Sequence, residues 1–342
     1  MKAVRVRPEG GVVVTEVEVP TPGPGEVLVQ VAGAGLCHSD CMIQQSPSNY
    51  RPDGVAFTLG HESAGTVAAV GAGVRSLSVG QPVVVHAEWG CGECPTCRGG
   101  AERFCPVVKP IGGAGLGLDG GLAEYLLVPA ARNVVALPDG LDPVDAGPLD
   151  DAGLTPYHAI LASMPWVGPG TVSVVVGIGG LGHLAVQILR AVSATTIVAV
   201  EKDPARRAFA LELGADLALD PADDAAAQIK AMGRDGASFV LDLVGASETL
   251  ALGAAASADR GRVVCVGAAL GSFSFSLISQ PWECVFQTSY SGEASELEQL
   301  VALAATGRVK VTSNRITLDD VPAAYEQLDR GEHGVGRLIA VP

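Results

Sequence analysis

The sequence predicts an α/β protein that joins a β-rich domain to a doubly wound parallel-sheet domain. Three observations point there. The first ~150 residues carry short β runs punctuated by Gly and Pro, at 12–14, 26–31, 65–70 and 82–85. From Thr171 onward, continuous apolar strands alternate with amphipathic helices, as in a parallel sheet covered on both faces. Between the first of these strands and its helix lies Gly177-Ile178-Gly179-Gly180-Leu181-Gly182, a G-x-G-x-x-G loop.

Each element of the second half follows from local chemistry. Residues 172–176 read VSVVV, an apolar run of strand length, and the glycine loop opens a helix over 181–192. A second strand follows at 196–200. Asp203-Pro204 then starts a helix, with a capping carboxylate and a proline in the first turn, and Gly214 stops it. Further strands fall at 239–243 and 263–266. The tail after about residue 289 ends in an apolar run at 338–341, which completes the first domain as a returning strand. The expected domains are therefore 1–150 with 289–342, and 151–288.

Composition narrows the function. The chain has 342 residues, 48% hydrophobic and only 4% aromatic, so its cores rely on Val, Ala, Leu and Ile. A net charge of -15 argues against a nucleic-acid partner, which needs a basic face. The span 159–189 lacks Asp, Glu, Lys and Arg, but its prolines and glycines make it loop, strand and turn rather than a membrane helix. The N-terminus alternates like a strand and shows no signal-peptide core, so a cytoplasmic location is expected. In such a reducing compartment, clustered cysteines favour metal over disulfides.

Four of the eight cysteines are clustered: Cys91, Cys94, Cys97 and Cys105, spaced C-x2-C-x2-C-x7-C. Thiolates clustered like this converge on one point, whose usual occupant is a soft, tetrahedral metal. An iron–sulfur cluster is the alternative, suggested by Cys105-Pro106, although the last gap is seven residues rather than three. Cys41, Cys265 and Cys284 remain as inert thiols. The glycine loop also has an acidic companion. Glu201 lies 19 residues past Gly182, at the end of the next strand. There it would accept bonds from the adenosine ribose and repel a 2′-phosphate, favouring NAD(H). Lys202 and Arg206 lie close by and leave some NADP(H) use open.

A further constellation comprises Cys37-His38-Ser39-Asp40, Gly60-His61-Glu62 and Asp150-Asp151. With Pro22-Gly23-Pro24-Gly25-Glu26, the cysteine lobe and the nucleotide loop, the chain resembles the zinc-dependent medium-chain alcohol dehydrogenases along essentially its whole length. The stretch 151–159 looks especially like NAD-dependent bacterial secondary-alcohol dehydrogenases. The resemblance implies a GroES-like catalytic domain, with a zinc lobe over about 88–110, joined to a Rossmann domain. It implies two Zn2+ per chain and reversible hydride transfer between an alcohol and NAD(H).

By the same resemblance, Cys37, His61 and Asp151 hold the catalytic zinc, Asp151 replacing the family's usual Cys. Asp150 sits beside it and leaves the choice of carboxylate ambiguous. Asp40 would orient His61, Glu62 would sit behind the metal as a transient ligand, and Ser39 would take the alcohol proton. His38, Thr155, Gly177, Gly179, Gly180, Leu181, Gly182, Glu201, Arg206, Val266 and Arg337 would meet the cofactor, His38 and Arg337 at its pyrophosphate. Many relatives end the proton relay on a His where this chain has Met42, which redirects the proton to water or His38. Met42, Tyr50, Trp89, Leu116 and Tyr290 are the expected substrate contacts, with room for a hydrophobic secondary alcohol. A homotetramer is implied, with a dimer as the alternative. Polyol or sugar dehydrogenation is the nearest rival function. Quinone and enoyl reductases of the same fold lack both zinc sites. A non-catalytic zinc-binding interaction protein is the rival from another class.

Overall fold

The computed structural model describes residues 1–108, 112–232 and 235–342. It divides into two compact units, one of residues 1–154, 292–306 and 311–342, the other of residues 155–291 and 307–310. The unit edges fall a few residues beyond the boundaries expected from sequence. Asp151 consequently belongs to the first unit, with Cys37 and His61. The short return 307–310 goes with the second unit because Gln187 grips it. The Gln187 amide donates to the Lys310 carbonyl at 3.0 Å and its oxygen accepts from the Lys310 N–H at 2.9 Å.

Among the described residues, the first unit is built on a seven-stranded sheet. Its order runs Val134–Ala136, Pro82–Val85, Glu62–Val70, Val27–Gly35, Arg337–Val341 and Ser313–Thr317, with Tyr125–Val128 also paired to Val27–Gly35. The C-terminal strand lies antiparallel to Val27–Gly35, with Ile339 opposite Gly35. Val29, Val31, Leu36, Phe57, Val67, Leu122 and Leu126 pack the core of this unit. Three ladder positions position the site chemistry. Gly35 faces Glu62, Ser63 faces Val85, and Arg337 begins the returning strand.

The second unit holds a six-stranded sheet whose pairings are all parallel. The order is Leu217–Leu219, Thr196–Val200, Val172–Val176, Ala237–Asp242, Ser257–Cys265 and Val285–Thr288. Val172–Val176 is buried at every position, as an apolar run between two helix layers must be. Asp203 caps the helix Pro204–Glu212, accepting from the Ala205 N–H at 2.8 Å. No helix among the described residues is long and apolar enough to cross a membrane.

Candidate metal and nucleotide sites

Cys37, His61 and Asp151 reach one point in the first unit from three separate segments. Cys37 sits at the start of the helix His38–Gln45, and His61 immediately precedes the strand Glu62–Val70. Their ligand atoms all lie within 4.8 Å of one another. Cys37 Sγ is 3.3 Å and His61 Nε2 3.6 Å from Asp151 Oδ2. Tetrahedral zinc with ordinary bond lengths needs ligand edges of roughly 3.3–3.7 Å for these pairs. The trio thus fits zinc with three protein ligands and a fourth direction left over, the arrangement of a catalytic site.

The electrostatics agree with a cation there. Burial disfavours a charged imidazole, yet Asp40 and Asp151 raise His61 well above its usual range. Burial also opposes a charged Asp151, but His61 and Arg337 hold its carboxyl well below the usual carboxylate range. A site with this excess of acid groups is a place for a metal.

The residues around the trio hold it in place. Asp40 is buried, and its Oδ1 lies 3.2 Å from His61 Nδ1. Its other oxygen accepts from the Cys37 N–H at 3.1 Å and from the Tyr325 hydroxyl at 2.8 Å. With the Asp40 carboxylate at its Nδ1 edge, the ring presents Nε2 to the metal position. Glu62 is buried and fully engaged: Oε1 accepts from the Ala152 N–H at 2.9 Å and from Arg337 Nη2 at 2.5 Å, and Oε2 from Arg337 Nε at 2.8 Å. A Cβ at Gly35 would stand 1.9 Å from Glu62 Oε2, so only glycine leaves space for this carboxylate. Asp150 turns away from the trio toward His86, with Oδ1 2.9 Å from His86 Nδ1 and Oδ2 accepting from the Ala87 N–H at 2.9 Å. The two adjacent aspartates therefore have different partners, and Asp151 is the one at the metal position.

Some expected contacts find other placements. Arg337 was expected at a pyrophosphate; the structure buries it inside the first unit, with Nε and Nη2 on Glu62 and Nη2 3.6 Å from Asp151 Oδ2. A buried guanidinium beside two carboxylates is held by that charge. His38 is exposed, 3.7 Å from Asp329. Ser39 Oγ lies 3.4 Å from His61 Nε2, at the metal position. Trp89 is buried in the first unit's core, its indole N–H donating to the His86 carbonyl at 2.8 Å. Tyr50 and Leu116 pack partly buried against that core, and Met42 is half-buried. Burial raises the Tyr50 phenol, which also feels the charges of His61 and Asp40. In the second unit, Thr155 is buried, Arg206 half-buried and Tyr290 half-exposed. Tyr325 and His86 escaped the sequence reading because neither belongs to a local motif.

The four cysteines of the lobe also converge. Sγ separations are 3.8 Å for Cys91–Cys97, 3.4 Å for Cys94–Cys97 and 3.9 Å for Cys94–Cys105. One zinc with sulfur ligands needs edges of about 3.8 Å. An iron–sulfur core places each cysteine on its own corner of a multi-atom cluster, which sulfurs this close do not straddle. Burial pushes the Cys105 thiol up, but backbone N–H groups of Cys91, Val107 and Val108 bring it down to about 6, favouring the thiolate. The lobe is stapled to the rest of its unit. Arg132 bonds both Glu102 and the Gly90 carbonyl at 2.8 Å, and Arg103 meets Glu293 at 2.5 Å. The last residues of the expected lobe, 109 and 110, lie outside the described residues.

The glycine loop has the geometry of a phosphate cradle. Gly177 has φ +88°, and a Cβ there would meet Val244 at 2.6 Å. A Cβ at Gly182 would lie 2.0 Å from the Gly177 carbonyl oxygen, so the helix Gly182–Val192 packs on the turn only through glycine. A Cβ at Gly179 meets nothing within 4 Å, which leaves its face open to a ligand. Gly180 and Leu181 complete the turn into the helix, where an anion is favoured. Glu201 stands over the loop, accepting from the Ile178 N–H at 2.8 Å and from the Asp203 N–H at 3.0 Å. Arg207 is tied to the Glu201 and Lys202 carbonyls at 2.7 and 2.8 Å and to Asp220 at 2.9 Å. Val266 follows the end of its strand, its N–H donating to the Asp242 carbonyl at 2.8 Å. These groups lie at the carboxyl ends of adjacent parallel strands, where such sheets bind nucleotides.

A Cys97→Ser variant tests the lobe. It is expected to lower zinc from two ions to one per chain by elemental analysis and to lower Tm, whereas an unchanged zinc content would remove the lobe as a metal site.

Comparison with known proteins gives these sites a family. Residues 23–139 match the alcohol dehydrogenase GroES-like domain, and residues 180–306 match the zinc-binding dehydrogenase domain. A D-arabinose 1-dehydrogenase (NADP(+)) of Saccharolobus solfataricus is 34% identical, over 96% of this chain and 94% of that protein. The crystal structure of an alcohol dehydrogenase from Aeropyrum pernix superposes with a TM-score of 0.90 at 33% identity, covering 100% of both chains. The acetophenone reductase of Geotrichum candidum, solved in complex with NAD, gives a TM-score of 0.87 at 29% identity, covering 100% of this chain and 97% of that one. With its two cysteine-containing metal sites and its glycine loop, the chain belongs to the zinc-dependent medium-chain alcohol dehydrogenase family.

Proposed function

We propose that this protein is an NAD-dependent dehydrogenase of hydrophobic secondary alcohols, working reversibly as a ketone reductase. The observation that carries the reading is the convergence of Cys37, His61 and Asp151, a three-ligand site beside a hydroxyl, Ser39. Cys37, His61 and Asp151 would hold the catalytic zinc, and Cys91, Cys94, Cys97 and Cys105 the structural one. Zinc in the first site supplies a Lewis acid that polarises the substrate oxygen. NAD(H) supplies the hydride acceptor and donor.

The chain's own residues do the rest. Asp40, itself held by Tyr325, keeps the His61 ring in one orientation. Ser39 Oγ accepts the proton from the substrate hydroxyl during oxidation as it passes its own proton onward, and the relay runs in reverse during reduction. With Met42 in place of a relay histidine, that proton leaves through water or through the exposed His38. Glu201 and the loop Gly177–Gly182 hold the adenosine and pyrophosphate moieties, with Arg206 and Val266 alongside. Arg207, already tied to two carbonyls and Asp220, adds no free cation for a 2′-phosphate.

Met42, Tyr50 and Leu116 offer apolar surface in the first unit, where Tyr50 and Leu116 pack on the core that contains Trp89, and Tyr290 does so in the second. The similarity to an acetophenone reductase supports a bulky ketone. A sugar substrate is the second reading, favoured by the relative that oxidises D-arabinose. A panel of NAD and NADP against primary, secondary, aryl and polyol or sugar substrates separates the two. Highest kcat/KM on an aryl or aliphatic secondary alcohol supports the first reading, and highest kcat/KM on an aldose overturns it. Self-association into a tetramer, or a dimer, in the cytoplasm is part of the proposal. It is supported by Phe275, Leu277, Ile278 and Trp282, exposed at 69%, 75%, 90% and 58% beside the edge strand Val285–Thr288.

Three variants test the site assignments. Asp151→Asn is expected to lose the catalytic zinc while Asp150→Asn keeps it, as read by zinc content per chain; the reverse would reassign the ligand. Glu201→Ala is expected to raise the NADP:NAD ratio of kcat/KM by about tenfold, the equivalent of roughly 1.4 kcal/mol. An unchanged ratio would show that Glu201 does not select the cofactor.

A further inference from the structure

The neighbours of Asp151 in the chain are each gripped by a different buried group. On one side, the Asp150 carboxylate lies against His86 Nδ1 at 2.9 Å and accepts from the Ala87 N–H at 2.9 Å. On the other side, the Ala152 N–H donates to Glu62 Oε1 at 2.9 Å, and Arg337 braces that carboxylate. His86 and Asp150 are 1% and 3% exposed, so water does not compete for their contact.

Both grips lead back to the strand that directly follows His61. Glu62 is the first residue of that strand, Glu62–Val70. His86 and Ala87 directly follow Pro82–Val85, which pairs with the same strand through Ser63 opposite Val85. His86 is itself fixed: its N–H donates to the Asn133 carbonyl at 2.8 Å, and its carbonyl accepts from the Trp89 indole at 2.8 Å. Its Nε2 has no hydrogen-bonding partner among the described residues, so Asp150 is the group that engages the ring. The ladder between two strands therefore sets the distance between the ligands His61 and Asp151, although 90 residues separate them in sequence.

We infer that Asp150 and His86 are positioning residues for the catalytic metal: their contact holds the Asp151 carboxylate at the point where Cys37 and His61 converge. This rests on the proposal that those three residues hold zinc. Asp150 is not a ligand, and its carboxylate acts through the backbone it shares with Asp151. An asparagine in its place keeps an acceptor for the Ala87 N–H and a donor for a neutral His86 Nδ1, whereas alanine keeps neither.

Competition with a zinc chelator, followed by zinc content, tests the inference on the purified two-zinc protein. Asp150→Ala is expected to release one zinc at a chelator concentration about 10–100-fold lower than wild type, the size of effect that groups orienting metal ligands produce. The second zinc, in the cysteine lobe, is expected to resist as in wild type. Asp150→Asn is expected to restore most of the lost resistance. Should Asp150→Ala fail to fold, His86→Ala provides the same test, since it removes the ring and leaves the Ala87 N–H in place; its expected shift is about tenfold. Wild-type chelator resistance in the alanine variant would overturn the inference, as would equal loss of both zincs. Retention of both zincs by Asp151→Asn would instead sink the underlying ligand assignment.

Discussion

The first unit depends on holding a cysteine, an imidazole and a carboxylate together at one largely buried point. Cys37 and His61 are buried, with Asp40 and Glu62 fully buried behind them. Left alone, groups of this charge would repel, protonate or draw in water. A divalent cation resolves the conflict, and the surrounding chain is arranged so that the ligands cannot drift from it. Asp40 orients His61, Tyr325 and the Cys37 N–H orient Asp40, and the Arg337 guanidinium neutralises Glu62. The C-terminal strand thus serves the site directly, because Arg337 is its first residue.

Chemistry and bracing are divided between two zinc sites of different ligand character. The cysteine lobe uses four soft donors and offers no open direction, so its contribution is to stability. The mixed set at Cys37, His61 and Asp151 has three donors and leaves one direction for substrate. Replacing a thiolate by a carboxylate preserves the formal charge and makes the ligand set harder. It also makes the site depend on the position of a shorter, more strongly hydrated group, which is where the contacts on either side of Asp151 act.

Much of this was legible in the sequence, and the reasons are specific. The strand Val172–Val176 and its partner Thr196–Val200 were readable because strands covered on both faces are predominantly apolar, with only Ser173 and Thr196 polar here. The helix start at Asp203-Pro204 was readable because capping is local chemistry. Cys91 to Cys105 announced a metal by spacing alone. The family resemblance pointed to Asp151, but the residues alone did not separate it from Asp150, because Asp150 is turned aside by a bond to His86, 64 residues away. Tyr325 and Arg337 were harder still, meeting Asp40 and Glu62 across 285 and 275 residues. The cofactor reading expected Arg337 at a phosphate, and only the tertiary structure showed its two bonds to Glu62.

Anomalous diffraction at the zinc edge, from crystals of the purified protein, tests the central claim most directly. Two peaks are predicted per chain. One is surrounded by Cys91, Cys94, Cys97 and Cys105, and the other is bonded to Cys37 Sγ, His61 Nε2 and Asp151, with Asp150 still against His86. A second peak bonded to Asp150, or a single peak in the cysteine lobe of fully loaded protein, would contradict the account.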